Sequence, residues 1–499
     1  MTVDHSVTTS AATNLAARPH AAKSSRNVAV GIFVIALLLG AGLRFYRLGA
    51  DEMTRGEAAA WTAASAPTVD DVIASGRRID PGKLALYDVT LHGWMDVFGH
   101  RVGALRALSA VMGSLSIVLI FASVQEILRA FDATADPSTA EFAAAFAALL
   151  FACNLQMITW DRTARMYSPM LLAMLAQLFF FVRAHRRAGI LNWVAAAIFT
   201  VLAVACNYTA LFFFAAEGVW LIYLLAVQRA RAMTLKVSFA RPALALVAAA
   251  IVIMPLALAA SKIEVGALHG GALDWVERQP PWWPFRALQV LAGNAAFWPM
   301  LALAIFGIWS QRTRALHATR FVVFWLALPF LIDELVSYAI TPFMIERYVL
   351  ASLVAFLVLA AIGLASIPFE PARYAIAALL VAQSLAHIHH HWRSPEDIQW
   401  REAAEFAAAA APAGEKVALM PPGEPLYVLH YYLPQQQHDV VINSDSTFDP
   451  VTRTWTLLHC GREPIAIVQL ELPRDFLHQI KSCYPHTLRK FRQVEVVSR

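Results

Sequence analysis

The sequence predicts an all-α polytopic membrane protein of about eleven transmembrane helices with a small C-terminal α/β domain outside the membrane. Hydrophobic residues make up 59% of the 499-residue chain, charged residues only 15%, and the mean hydropathy is +0.54. An ordinary soluble domain has about 25% charged residues. Apolar runs long enough to cross a bilayer recur along the chain and stop after His391, where a stretch of mixed polarity begins.

The apolar runs are about 17 to 25 residues long, as a hydrocarbon layer of about 30 Å requires. Segment 1–27 is rich in Ala, Ser and Thr, and we predict a disordered cytoplasmic tail there. The first run has no small-residue cleavage site, so it is predicted to be an uncleaved span. The predicted span cores are 28–48, 104–128, 138–158, 167–184, 190–206, 208–227, 242–261, 288–309, 320–340, 348–366 and 373–391.

The basic residues predict the orientation, because they gather in alternate short loops, as cytoplasmic loops do. This alternation predicts a cytoplasmic N-terminus in a bacterial inner membrane, with loop 49–103 and the C-terminal domain on the exterior, periplasmic side. The net charge of +5 and the pI near 9.0 reflect these loops, and no nucleic-acid motif is present. The basic residues concerned are Arg183, Arg186, Arg187, Arg229, Arg231, Lys236, Arg241, Arg312, Arg314 and Arg320.

The predicted C-terminal domain, 393–499, has an Ala-rich helical segment followed by short buried strands separated by Pro, Gly and Asp turns. The helix is predicted at 400–411 and the strands near 416–420, 440–442 and 465–470. Cys460 and Cys483 lie in this domain, where an oxidising exterior permits either a disulfide or two free thiols. The chain has no zinc-type cysteine spacing.

The loop 49–103 carries most of the residues that could take part in catalysis or binding. Asp51 and Glu52 follow the first span directly, and carboxylates at the mouth of a span are costly unless hydrated or partnered. They are therefore functional candidates, with plain hydrated loop charge as the alternative. Residues 69–75 are predicted to form an amphipathic helix at the interface.

Six segments together resemble the GT-C glycosyltransferases of the group that contains protein O-mannosyltransferases and lipid A aminoarabinose transferases. The resemblance extends nearly from end to end of the chain. It rests on Asp51-Glu52, the segment Pro81 to Tyr87, the segment Phe98 to Arg106, Arg165-Met166-Tyr167, Glu346-Arg347-Tyr348, and the segment Asp397 to Arg401.

The resemblance implies inverting transfer of a sugar from a polyprenyl-phosphate carrier to a glycolipid, glycan or protein acceptor at the exterior face. Asp51 matches the family's catalytic Asp and would act as the base, with Glu52 and Glu57 supporting it. Lys83, Arg165 and Arg347 would meet the carrier phosphate, and Tyr87, Tyr167 and Tyr348 would donate hydrogen bonds. Interfacial anchoring is the alternative for the arginines and tyrosines.

Two departures from the family pattern stand out. The segment 81–87 is Pro-Gly-Lys-Leu-Ala-Leu-Tyr where the family has Lys-Pro-Pro-Leu-Tyr, and two residues are inserted before Trp400. No cofactor is predicted, and no convincing ligand set supports a divalent metal, although family members differ in this respect.

Several further groups are candidates of lower rank. Asp161 is an acidic candidate near Arg165. Asp333-Glu334 lies within a predicted span, where a functional role and a structural ion pair with a base such as Arg347 are the alternatives. The histidines 387 and 389–391 suit a metal less well than an interfacial position. The aromatic segment 275–285 either rests on headgroups or helps to form a groove.

Two other functional classes are the alternatives to a transferase. A secondary transporter or flippase of a lipid-linked sugar would use the intramembrane charges, but no inverted repeat is evident in the sequence. A non-catalytic scaffold would leave the Asp51 to Lys83 constellation unexplained.

Overall fold

The computed structural model of the chain describes residues 6–80, 83–131, 137–187, 189–231, 276–312, 316–339, 342, 344–393, 399–434, 437, 440–449, 454–470 and 472–499. Its α-helices before the C-terminal domain are α1 (Ser6–Phe45), α2 (Arg55–Ala64), α3 (Val69–Ile79), α4 (Leu86–Phe98), α5 (Val102–Phe131), α6 (Pro137–Cys153), α7 (Leu155–Asp161), α8 (Tyr167–Arg187), α9 (Ile190–Cys206), α10 (Ala210–Arg231), α11 (Trp283–Leu291), α12 (Phe297–Ser310), α13 (Leu316–Ala339), α14 (Leu350–Ala365) and α15 (Glu370–Arg393).

The described helices agree with a polytopic membrane protein. Within the described ranges, α1, α5, α8, α13 and the segment Glu346–Ala365, which ends with α14, are long and apolar enough to cross a membrane, and two bent helix pairs raise the number of candidate spans to seven. Two shorter apolar helices, α9 and α10, match predicted spans as well. The predicted span 242–261 lies outside the described residues, and 373–391 lies within α15, which does not meet the same criterion. The total of eleven spans stays a prediction.

Two predicted spans are broken rather than continuous. The span predicted at 138–158 bends by 64° between α6 and α7, where Asn154 leaves the helix and its side chain accepts a hydrogen bond from the Met157 amide. The span predicted at 288–309 bends by 106° between α11 and α12, because Gly293 and Asn294 adopt the left-handed conformation. A hydropathy profile detects the length of an apolar run, but it does not detect a bend within that run.

Helix α1 begins at Ser6 in the structure, and the disorder and cytoplasmic position of segment 1–27 stay predictions. Ala is the strongest helix former, and the same Ala content that suggested a low-complexity tail also favours a helix.

The bundle is built around α14, which is buried along its entire length. A Cβ atom at Gly363 of this helix or at Gly307 of α12 would collide with the backbone of the other helix. The two glycines therefore let α12 and α14 approach closely, as small residues do between membrane helices.

Loop 46–101 folds into the three short helices α2, α3 and α4. The interfacial helix predicted at 69–75 is the first part of α3, which extends to Ile79 and whose first turn is capped by the Thr68 hydroxyl. Helix α4 leads through Gly99, whose φ is 78°, into α5. All three helices therefore lie between α1 and α5 at one end of the bundle.

The C-terminal domain is α/β, as predicted. Its helices are α16 (Trp400–Ala410), α17 (Pro425–Tyr432) and α18 (Arg474–Cys483), and its strands are β1 (Val417–Met420), β2 (Val441–Asn443), β3 (Ser446–Asp449), β4 (Thr454–Leu457), β5 (Ile465–Gln469), β6 (His486–Lys490) and β7 (Val494–Ser498). The main sheet has the order β2-β1-β5-β7-β6, and β3 pairs with β4 separately.

The sheet is mixed. Strand β1 pairs in parallel with β2 and β5, with Val417 opposite Val441 and Ile465, whereas β7 is antiparallel to β5 and β6. Strands β1 and β5 are buried at every position, as expected for central strands covered on both faces. Cys460 and Cys483 form a disulfide with their Cα atoms 5.4 Å apart, which joins α18 to the loop before β5.

Candidate active site

Arg106 of α5 holds the loop that follows the first span. Its Nη1 donates to the carbonyls of Leu48 and Asp51, both at 3.1 Å, and its Nη2 donates to the carbonyl of Glu52 at 2.8 Å. One buried guanidinium thus fixes three backbone carbonyls of the loop. Its planar fork of donors suits it to this task.

Glu57 of α2 pairs with Arg106 in bidentate geometry, at 2.7 Å to Nε and 2.8 Å to Nη2. The same carboxylate accepts hydrogen bonds from the amides of Thr54 and Ala164, both at 2.9 Å. Burial alone would raise the pKa of Glu57, but Arg106 and these amides outweigh it and hold the pKa below its usual range. Every oxygen of Glu57 is engaged, so this carboxylate supports the loop and has no free position for an acceptor.

Asp51 and Glu52 are adjacent in sequence but have different surroundings. The Asp51 side chain is exposed and forms no hydrogen bond or ion pair within the described part of the chain, while its backbone carbonyl is held by Arg106. The Glu52 carboxylate accepts hydrogen bonds from the amides of Trp400, at 2.8 Å, and Arg401, at 3.3 Å. Burial raises the pKa of Glu52, although the two amides oppose the shift.

A cluster of charges surrounds Asp80, at the end of α3. Arg165 donates to its carboxylate at 2.6 Å, and the Lys83 ammonium lies 3.6 Å from the same oxygen. Lys83 is buried and also donates to Asp88 at 3.0 Å. Burial alone would raise the pKa of Asp80, but Arg165 and Lys83 outweigh it and lower the pKa, whereas burial raises the pKa of Asp88.

The cluster extends to the segment before α14. Arg347 interacts electrostatically with Asp80, and its Cζ lies 5.6 Å from the centre of the Tyr348 ring. Tyr348 in turn is within electrostatic range of Tyr167 and Arg165. The structure therefore brings Lys83, Arg165, Tyr167, Arg347 and Tyr348, which are widely separated in sequence, around one carboxylate.

The charge cluster and the Asp51 loop are joined through the link between α7 and α8. Arg165 donates from Nη1 to the carbonyl of Gly56 at 3.0 Å, and the amide of the preceding Ala164 donates to Glu57. A Cβ atom at Gly56 would lie 3.4 Å from Arg165 Nε, so the helix start and the guanidinium are in close contact. The exposed Asp51 carboxylate and the cations consequently belong to one assembly.

Two further predicted site residues, Asp161 and Tyr87, are buried. Asp161 forms an ion pair with Arg44 at 2.8 Å inside the bundle, and both side chains are almost fully buried. Tyr87 is buried within electrostatic range of Arg165 and Asp88, at the edge of the charge cluster, and this burial raises the pKa of its hydroxyl.

The remaining candidates from the sequence are the Asp333-Glu334 pair, the histidines near the end of α15 and the aromatic segment 275–285. Within the described residues, no hydrogen bond or ion pair reaches the carboxylates of Asp333 and Glu334 on α13. The histidines 387 and 389–391 lie in the last two turns of α15, and the described part of the chain holds no cluster of three or more His, Cys, Asp or Glu side chains suited to a metal. Of the aromatic segment, Trp282 and Phe285 are exposed near the start of α11.

Three residues of the site were not singled out from the sequence. Asp80 and Asp88 bracket Lys83 at spacings of three and five residues, a pattern that indicates possible pairing within the loop. Arg106 lies in a segment that carried the family resemblance, but only the fold shows that its partners are Glu57 and three loop carbonyls.

Comparison with known proteins decides the fold. No family model and no curated protein matches the sequence. Among solved structures, apo ArnT from Cupriavidus metallidurans matches with a TM-score of 0.64 at 14% identity, over 94% of this chain and 98% of that one. The chain has the GT-C glycosyltransferase fold.

Two further structures support this assignment of the GT-C fold. ArnT from Cupriavidus metallidurans bound to undecaprenyl phosphate matches with a TM-score of 0.62 at 13% identity, over 94% of this chain and 97% of that one. The oligosaccharyltransferase AglB from Archaeoglobus fulgidus, in complex with an inhibitory peptide and a dolichol-phosphate, matches with a TM-score of 0.54 at 12% identity, over 89% and 69% of the two chains. The resemblance predicted from motifs is thus confirmed for the fold.

Proposed function

We propose that this protein is an inverting glycosyltransferase that moves a sugar from a polyprenyl-phosphate carrier to a cell-envelope glycolipid, glycan or protein at the exterior face of a bacterial inner membrane. One observation carries the proposal. An exposed carboxylate, Asp51, lies on a rigid loop that is joined to a cluster of three cations, Lys83, Arg165 and Arg347. The similarity in fold to an undecaprenyl-phosphate-bound ArnT adds to it.

Asp51 is the proposed general base. In an inverting transfer the acceptor hydroxyl attacks the anomeric carbon from the side opposite the phosphate, and the bond from that carbon to the phosphate oxygen breaks. The proton of the hydroxyl passes to the base, and the electron pair leaves with the phosphate. Asp51 suits this role because its carboxylate is exposed and is not engaged in holding the fold, unlike Glu52 and Glu57.

The cation cluster is the proposed site of the carrier phosphate. With Asp80 and Asp88 ionised, its three cations and two carboxylates sum to a net charge of +1, which matches the single negative charge of a phosphodiester. The departing phosphate gains further negative charge, and fixed cations in a partly buried position stabilise that charge best. Tyr348 and Tyr167 border the cluster and are the proposed hydroxyl donors.

Loss of Lys83 is expected to weaken carrier binding. Because Lys83 also neutralises the buried Asp88, the informative variant is Lys83→Met combined with Asp88→Asn, which leaves no unpaired charge. A charge-assisted hydrogen bond contributes about 1.5–3 kcal/mol, so the affinity for undecaprenyl phosphate should fall about 10- to 100-fold. Asp88→Asn alone, which keeps the ammonium, is the control, and calorimetric titration in detergent is the measurement. Equal affinity of the double variant and this control would remove Lys83 from the phosphate site.

Donor and acceptor are identified together by one experiment. Envelope glycolipids, glycans and polyprenyl-phosphate sugars are compared by mass spectrometry between a deletion strain and strains complemented with wild type or Asp51→Asn. We expect one decoration to disappear, its carrier-linked sugar to accumulate, and wild type alone to restore it. An unchanged envelope, with a lipid-linked sugar trapped on the cytoplasmic face, would refute the transferase in favour of a flippase.

A further inference from the structure

The C-terminal domain reaches the loop that presents Asp51 at two adjacent residues. The Glu52 carboxylate receives the amides of Trp400 and Arg401, which are 348 and 349 residues away in sequence. The Met53 amide donates to the Tyr432 hydroxyl at 2.7 Å. Both contacts join the loop directly to the C-terminal domain, through the start of α16 and the end of α17.

The contact made by Glu52 completes a helix that lacks its own cap. The residue before α16 is Gln399, which has a φ of 63° and provides no side-chain hydrogen bond to the helix. The first amides of a helix need an acceptor, and a carboxylate there is also favoured by the helix dipole. Glu52 supplies both the acceptor and the negative charge from the membrane domain. The start of α16 therefore depends on the loop, and the loop depends on α16.

Tyr432 is itself held in place. The Arg401 guanidinium lies 4.9 Å from the centre of its ring, and the Tyr431 ring beside it packs edge-on against Trp61 of α2 at 5.0 Å. The Tyr432 hydroxyl is therefore carried by a rigid surface. Since Arg106 of α5 also holds the carbonyls of Asp51 and Glu52, residues 51–53 are bonded to both domains.

We propose that Glu52 and Tyr432 are positioning residues, through which the C-terminal domain fixes the direction of the Asp51 carboxylate. This inference rests on the proposed function, because it gives the domain its effect on that reaction. The Asp51 carboxylate forms no hydrogen bond or ion pair within the described residues, and Arg106 and Arg162 act on it only through electrostatic attraction, so its direction depends on the backbone that carries it. A base displaced by about 1 Å loses on the order of 100-fold in rate.

The test uses the full-length protein with Glu52→Ala combined with Tyr432→Phe. We expect kcat to fall about 10- to 100-fold while KM for the polyprenyl-phosphate donor changes less than about 3-fold, because the cation cluster is untouched. Amide hydrogen exchange should become faster at residues 51–53 and 400–401 and stay unchanged in α5. The single variant Glu52→Gln keeps one acceptor oxygen, so its kcat should be much closer to that of the wild type than the kcat of the double variant.

Tyr431→Phe is the matched control. Its hydroxyl donates to the His100 carbonyl at 2.9 Å, so the substitution also removes one hydrogen bond between the domains without touching residues 51–53. We expect kcat and the exchange at 51–53 to match wild type in this variant.

Two results would overturn the proposal. A loss of kcat without faster exchange at 51–53 would mean that Glu52 acts chemically, and faster exchange with an unchanged kcat would mean that the contacts do not direct Asp51. Absence of transfer by the wild-type protein would instead refute the proposed function, while the exchange measurement would still decide whether the domain holds the loop.

Discussion

Asp51→Asn is expected to abolish sugar transfer in a protein that remains folded. The amide has nearly the same shape as the carboxylate but cannot accept the proton of the acceptor hydroxyl, and a positioned general base contributes about 10²- to 10⁴-fold to rate. Because the Asp51 side chain is exposed and forms no hydrogen bond or ion pair within the described residues, its replacement removes only a solvent-screened attraction to Arg106 and Arg162. The measurement is kcat of the purified protein with a polyprenyl-phosphate sugar, together with the thermal unfolding midpoint.

The matched control for this variant is Asp70→Asn. Asp70 is also an exposed carboxylate of the same loop, in the first turn of α3. The Asp70→Asn protein should transfer sugar at the wild-type rate. Undecaprenyl-phosphate binding should be equal in all three proteins, since Asp51 is not among the cations that are proposed to hold the phosphate. Near-normal turnover by Asp51→Asn would remove this residue as the base.

Arg106→Met is expected to have the largest effect on stability. The substitution leaves Glu57 buried without its cation, and breaking one partner of a buried pair costs about 3–5 kcal/mol. It also releases the carbonyls of Leu48, Asp51 and Glu52, so transfer should be lost as well. The thermal unfolding midpoint in detergent is the measurement. A midpoint equal to that of the wild type would show that the pair does not hold the loop.

The pH dependence of this variant provides a second readout. In the wild type, Arg106 helps to hold the pKa of Glu57 in the folded protein below its value in the unfolded chain. The stability that the pair contributes is therefore fully present above the unfolded-state pKa, and it is lost as the pH falls through the folded-state pKa. In Arg106→Met, burial acts without the cation and the folded pKa is expected to exceed the unfolded value. The variant should therefore gain stability on acidification, and Arg106→Met combined with Glu57→Gln should lose this dependence.

The sequence was informative about the site to an uneven degree. Lys83, Arg165, Tyr167, Arg347 and Tyr348 were predicted from separate motifs, and the structure brings them around Asp80. Asp161 was predicted on its proximity to Arg165, yet it pairs with Arg44 of α1. Position along the chain indicates which residues are near one another locally, but the direction of a side chain at a helix end depends on the neighbouring helices.

Asp51 and Glu52 show the limit most clearly. The two carboxylates are consecutive and chemically almost identical, and in the sequence only the family resemblance distinguishes Asp51 as the base from Glu52 as a supporting group. In the fold, one is exposed and the other caps α16 from 348 residues away. The distinction between a candidate base and a structural cap is therefore created by the docking of the C-terminal domain.

The sequence by itself determined the membrane class, most of the apolar helices, the α/β character of the C-terminal domain and the motifs that indicated the GT-C fold. These properties depend on hydropathy, periodicity and short local motifs, which are present in a linear chain. Only the tertiary structure decided which charge pairs with which, where α6 and α11 end within apolar runs, and that Arg106 and Tyr432 hold the Asp51 loop. Those outcomes depend on contacts between segments far apart in sequence, and the energy of a buried charge depends on its partner.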